Sequence, residues 1–184
     1  MQTAHGVCRP PAGLIVIDIQ QKLLPAIWEK ERLLQNALLL IRAAVVLKVP
    51  LFATEQYPRG LGATVPEVAF ALSDCTPLPK NAFSARVAEN FVSSLRAKNV
   101  SDVILCGMET HACLTPTCLD LLEEGFSGFV ASDAVSSRTR ENWRIGLERM
   151  RDASAAMVSV EMAIFELLGQ AGTEEFKKIL PLLK

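Results

Sequence analysis

The side chain whose setting points most directly to chemistry is the thiol of Cys113, in the segment Cys106-Gly-Met-Glu-Thr-His-Ala-Cys113. The apolar run Asp102-Val-Ile-Leu-Cys-Gly107 reads as a buried strand. A helix is expected from Thr110 to Glu124, with Thr110 as its N-cap and Pro116 in its first turn. A thiol there faces uncapped backbone N–H groups and the positive end of the helix dipole, which lower its pKa and can hold an oxyanion. The plainer reading is a small buried hydrophobe, which suits Cys106 and Cys118. Asp18 ends the apolar run Gly13-Leu-Ile-Val-Ile. A carboxylate in that position is costly unless paired or hydrogen-bonded, although it can equally cap a turn. Lys80, after Pro77 and Pro79, is by itself an ordinary solvated lysine.

Other chemistries fare poorly. The 2 histidines are His5 and His111, neither in a pair at metal-ligand spacing, so no metal is expected. His111 stands too near Cys113 in sequence for the two side chains to face each other on a helix, and it reads as a pocket wall or capping partner. Gly60-Leu-Gly62 lacks the further glycine and helix of a dinucleotide fingerprint, so no cofactor is expected either. The 5 cysteines, Cys8, Cys75, Cys106, Cys113 and Cys118, contain no CxxC pair and read as free thiols.

With 19 basic and 20 acidic residues the net charge is -1, and no Lys/Arg stripe could follow a phosphate backbone. Arg138, Arg140, Arg144, Arg149 and Arg151 form one basic helix face, but Glu141, Glu148 and Asp152 interleave with them as on a solvated or subunit-contacting surface. Nucleic acid and membranes are therefore not expected partners. Met1 to Pro11 has no apolar run of the kind a secretory signal carries, and nothing approaches a membrane span, so a cytoplasmic chain is expected.

The elements that must position these residues follow from hydrophobic pattern. At 184 residues a single domain over the whole chain, 1–184, is expected. Apolar runs predict strands at Gly13–Asp18, Leu51–Thr54, just before Lys80, Asp102–Gly107, Gly128–Ala131 and Ala156–Ser159. Helical spacing predicts helices at Glu29–Lys48, Val65–Ala71, Ser84–Lys98, Thr110–Glu124, Arg138–Arg151, Met162–Gly169 and Thr173–Leu180. The alternation is that of βαβ units. The fold class is therefore α/β, a three-layer doubly wound, Rossmann-like and mostly parallel sheet of six strands with helices on both faces. Ligands of such sheets bind beyond the carboxyl ends of the strands, which makes Asp18, the Glu55–Ala82 excursion, Lys80 and the Gly107–Cys113 turn neighbours.

From Gly13 to Leu168 the sequence resembles the isochorismatase-like hydrolase superfamily. The resemblance rests on Ile17-Asp-Ile-Gln20, Thr54-Glu-Gln-Tyr-Pro-Arg-Gly-Leu-Gly62, Lys80-Asn-Ala-Phe-Ser84 and Gly107-Met-Glu-Thr-His-Ala-Cys113, in that order. The second and fourth pieces are most similar to the metal-free branch of isochorismatase domain-containing proteins.

The resemblance implies a catalytic triad of Asp18, Lys80 and Cys113, a cis peptide between Met108 and Glu109, and an oxyanion hole from the backbone N–H groups of Glu109 and Cys113. Cys113 would attack a small carbonyl substrate, of amide type at a C–N bond, through a thioester that water cleaves. Leu24, Tyr57, Phe83 and His111 are the expected substrate-binding residues. Members that hydrolyse nicotinamide carry an Asp/His metal site where this chain reads Glu55-Gln56-Tyr57, and retention of Cys113 points away from vinyl-ether hydrolysis. Val160 stands where the family has Thr. The resemblance also implies a homo-oligomer, a dimer or larger, with Trp143, Phe165 and Phe176 as exposed apolar contacts. A rival reading is a non-catalytic binding or assembly protein that has kept the fold.

Overall fold

The computed structural model describes residues 11–183, so His5 and Cys8 lie outside the described residues. Strands β1 (Ala12–Ile17), β2 (Leu51–Gln56), β3 (Leu78–Lys80), β4 (Asp102–Met108), β5 (Ser127–Ser136) and β6 (Ala156–Val158) form one sheet in the order β3-β2-β1-β4-β5-β6. Every neighbouring pair is parallel. The chain walks outward from β1 to β3, returns to lay β4 beside β1, and walks outward again, so order reverses at the β1/β4 boundary. A crevice opens at such a reversal, beyond the strand ends.

Side chains of a strand alternate between faces, and β1 feeds two cores at once. Leu14 and Val16 join Ile104, Cys106 and Phe129 under α1 (Lys30–Val46) and α7 (Val160–Leu168). Ile15 and Ile17 join Val103, Leu105 and Val130 under α4 (Phe91–Ala97), α5 (Thr115–Glu123) and α6 (Arg140–Asp152). The remaining helices are α2 (Pro58–Leu61), α3 (Pro66–Ala71) and α8 (Glu174–Ile179). In α1 the buried residues Leu33, Ala37, Leu40, Ile41 and Ala44 recur at helical spacing, and each large one contributes about 1.5–3 kcal/mol by leaving water.

Gly107 decides how β4 leaves the sheet. It pairs with Ile17, lies beside a register shift against β5, and has φ +118. A Cβ there would lie 2.1 Å from the Ile17 carbonyl oxygen, so only glycine lets β4 run on past the end of β1.

Three expectations are corrected. The predicted helix Ser84–Lys98 is a 3-10 turn at Ala85–Val87 followed by α4. Ser84 Oγ accepts the Arg86 N–H and closes the turn, Ala88 is extended, and Asn90 takes φ 60, so the chain bends twice before α4. The strand predicted at Gly128–Ala131 runs on to Ser136, because Ser132 Oγ donates to the Val158 carbonyl and Asp133 Oδ1 accepts the Val160 N–H. Those partners satisfy polar groups that in sequence look like a strand end. Trp143 is not an exposed contact residue: its ring stacks 5.4 Å from Trp28 and its Nε1–H donates to the Ser132 carbonyl. Arg32 lies over both tryptophans. Phe176 is half-buried, while Phe165 is exposed.

Candidate active site

Asp18 is the first residue beyond β1 and is fully buried at φ 52. Thr54 Oγ1, near the end of β2, donates to Asp18 Oδ1 at 2.7 Å. Lys80 Nζ, at the end of β3, donates to Oδ2 at 2.7 Å, so both carboxylate oxygens are engaged. Lys80 is 5% exposed and also donates to Gln56 Oε1 at 2.7 Å and to the Phe83 carbonyl at 3.1 Å. An ammonium has three protons, and here each has an acceptor. Full pairing of this kind is what makes a buried ion pair tolerable.

Cys113 sits in a π-type turn, Thr110–Leu114, that precedes α5. The N–H groups of Ala112, Cys113 and Leu114 converge on the Glu109 carbonyl at 3.1, 3.2 and 3.2 Å. The Met108–Glu109 peptide is cis. Two expectations about this turn change. Thr110 does not cap it, since its Oγ1 is buried without a hydrogen-bond partner; Thr115 Oγ1 instead donates to the Thr110 carbonyl at 2.6 Å. And the turn's position does not lower the thiol pKa. Burial first, then the charge of Asp18, pushes Cys113 up to about 12, against the opposing pull of Lys80.

The turn is held from both sides. Gly146 of α6 packs on Thr110 so closely that a Cβ would lie 2.9 Å from its methyl carbon. Thr117 Oγ1 donates to the Cys113 carbonyl at 2.7 Å and accepts the Ala85 N–H at 2.9 Å, tying the turn to the segment after Lys80. Glu109 Oε1 pairs with Arg138 Nε at 2.7 Å.

Asp18, Lys80 and Cys113 thus come together at one edge of the sheet. Two further residues join them that the sequence reading passed over. Gln56 Oε1 lies 3.8 Å from Cys113 Sγ, and Gln20 exchanges two hydrogen bonds with the Gln56 backbone while reaching the Gly62 carbonyl. Their signal was present: the polar residues of the apolar strands collect at the carboxyl ends. The expected substrate residues are more scattered. Tyr57 and Phe83 are exposed on the segments that follow β2 and β3, at 54% and 63%. His111 is half-buried with Nδ1 3.0 Å from Ser137 Oγ. Leu24 lines a groove of about 170 Å³ along the start of α1, with Gln21, Pro25, Lys30, Glu31 and Leu34.

The residues at the end of β2 do not fit a metal ion. Glu55 Oε1 is spent on the Thr64 N–H and Oγ1, at 2.6 and 2.7 Å, and no histidine stands beside it. Among the described residues no three His, Cys, Asp or Glu side chains cluster as a metal site would need.

A six-stranded, all-parallel sheet covered by helices is the α/β fold of the isochorismatase-like class. The chain belongs to that family, a family generally of hydrolases: residues 12–162 match the isochorismatase domain. It is 38% identical to a secreted isochorismatase effector, Isc1, of Phytophthora sojae, over 93% of this chain and 83% of the relative. It is 37% identical to isochorismatase domain-containing protein 2 of Danio rerio, over 92% and 85%. A solved structure described as MAR1 ribonuclease of Caenorhabditis elegans superposes with a TM-score of 0.88 at 35% identity, over 94% and 88%. No helix among the described residues is long and apolar enough to cross a membrane, and the Phytophthora sojae relative is described as secreted.

Proposed function

We propose that this chain is a cysteine hydrolase that needs no metal and acts on a small carbonyl compound of amide type. The observation that carries the proposal is the continuous network Thr54–Asp18–Lys80–Gln56–Cys113, which joins the ends of β1, β2 and β3 to one thiol. A thiol pushed up to about 12 is protonated in the resting site, so it needs a base, and Asp18 is the anion beside it. As Sγ bonds to the substrate carbonyl carbon, the thiol proton passes to Asp18. Asp18 then hands it to the leaving nitrogen as the C–N bond breaks, leaving a thioester. Water attacks the thioester, its proton goes to Asp18 and on to Sγ, and the C–S bond breaks to release the acid. Lys80, which donates to Asp18 Oδ2, holds the carboxylate in place between these steps. The backbone N–H groups of Glu109 and Cys113 serve the oxyanion, with that of Cys113 turning from the Glu109 carbonyl it now meets.

The word ribonuclease in the name of one relative raises RNA cleavage as a second reading. Charge favours the amide. Arg86 and Arg96 both pair with Glu124, Arg144 pairs with Glu141 and Glu148, and Arg138 pairs with Glu109, so these four arginines are already neutralised by carboxylates rather than turned to a phosphate backbone.

Alkylation by iodoacetamide near neutral pH, located by mass spectrometry, is the direct test. Cys113 is expected to react ahead of Cys106 and Cys118. Equal labelling of the three overturns the assignment. A panel of small amides, esters and single-stranded RNA, each compared with Cys113→Ala, then separates the readings: turnover of RNA alone removes the amide, and no turnover together with a stable bound partner favours an assembly role.

A further inference from the structure

Gln56 stands at the centre of the site without a part in the proton transfers. Its carboxamide orientation is settled by its partners. Nε2 donates to the Asn81 carbonyl at 2.8 Å, and Oε1 receives Lys80 Nζ at 2.7 Å. Exchanging the two atoms would set NH2 against an ammonium and oxygen against a carbonyl, losing both bonds. The backbone is held as firmly: the Gln56 N–H donates to Gln20 Oε1 at 2.8 Å, and Gln20 Nε2 donates back to the Gln56 carbonyl at 3.0 Å. The same Gln20 Nε2 donates to the Gly62 carbonyl at 2.6 Å, so the excursion after β2 and the Gln56 backbone share one anchor. The oxygen that faces Cys113 Sγ at 3.8 Å is therefore a fixed acceptor.

Resting on the hydrolase reading above, we infer that Gln56 is a positioning residue: its carboxamide oxygen takes the Cys113 S–H and the Lys80 ammonium at the same time, keeping the nucleophile protonated and the cation turned toward Asp18. An amide oxygen accepts a hydrogen bond but is far too weak a base to accept the proton at neutral pH. A carboxylate at the same place would compete with Asp18 for both Lys80 and the proton. Other charges near the turn are directed elsewhere. Glu109 is paired with Arg138, and the His111 ring faces Ser137 Oγ, so Asp18 and Lys80 are the charged groups acting on the thiol. Gln56 thus guards the resting site against off-pathway alkylation and oxidation, and yields when a substrate carbonyl enters.

The test is the pH profile of Cys113 alkylation by iodoacetamide in three full-length chains: native, Gln56→Met and Gln56→Glu. Methionine keeps the length and removes the acceptor, which frees Lys80 to stabilise the thiolate. The midpoint should fall, and reactivity at a given pH below it should rise about tenfold for each unit of that fall. Glutamate keeps the shape and adds an anion, so the midpoint should rise and reactivity drop. Opposite movements support the inference, because a merely structural role would move both variants the same way. Movement in one common direction, or none, overturns it. Should Gln56→Met fail to fold, as judged by circular dichroism, the isosteric Gln56→Glu decides alone: a raised midpoint supports, an unmoved or lowered one overturns. If native Cys113 labels no faster than Cys106 and Cys118, the hydrolase reading falls and this inference with it. Selective native labelling with unmoved profiles removes only Gln56.

Discussion

Cys106, in the middle of β4, and Cys113, in the turn beyond it, are both buried thiols pushed up to about 12. Burial alone does this to Cys106, which packs among Leu14, Val16 and Ile104 in the core under α1. At Cys113 burial is joined by Asp18 and opposed by Lys80. The same acidity therefore describes two different chemistries. A thiol in an apolar core has nowhere to send its proton. A thiol beside a fixed carboxylate and ammonium has a base in reach, and its reactivity is set by those neighbours rather than by its ground-state ionisation.

The largest expected effect breaks that comparison outright. Cys113→Ala should lower turnover of any substrate found by about a thousandfold or more with the circular dichroism spectrum unchanged, whereas Cys106→Ala should keep most of the activity. Comparable losses in the two variants would remove the distinction. Next comes the ion pair. Lys80→Met leaves Asp18 buried without its cation and should cost about 3–5 kcal/mol in a denaturant titration. Adding Asp18→Asn to it should restore part of that stability, while neither variant turns over substrate. A double variant as unstable as the sum of the singles would show that the two residues do not act as a pair.

Gly107→Ala probes the joint between the two thiols. With a Cβ 2.1 Å from a backbone oxygen and φ +118, it should lose more than about 3 kcal/mol, by loosening the end of β4 and displacing Cys113 with it. Iodoacetamide selectivity for Cys113 should drop in parallel.

The smallest effect lies in the alkaline range. Because Cys106, Cys113 and Cys118 have folded pKa values raised from 9.0 to about 12, the unfolded chain releases their protons first as pH rises. Their contribution is complete below pH 9 and is lost between about 9 and 12, at up to about 1.4 kcal/mol per pH unit for each thiol. Cys106→Ala should make this decline shallower by one thiol's share. Parallel curves for native and variant chains would contradict the buried, protonated state of Cys106.

Much of this was legible in one dimension. The runs around Ile15, Phe52 and Leu105 give strands within a residue or two of those observed, since an apolar run can end only where burial ends. Polar residues that conclude such runs mark the carboxyl edge, which is how Asp18 and Cys113 stand out. What escaped was decided by distant partners. Ser132 and Asp133 look like the end of a strand until Val158 and Val160 satisfy them. Gln56 looks like any polar strand end until Lys80 meets it.

By itself, then, the sequence determined the order of strands and helices and which polar side chains fall at strand ends. These follow from local pattern and from sterics between chain neighbours. Only the tertiary structure decided that Asp18 and Lys80 lie 2.7 Å apart, that Gln56 faces the thiol, and that burial and Asp18 outweigh Lys80 at Cys113. Coulomb energy and desolvation depend on distance and on what surrounds a group, and both are quantities of the folded chain.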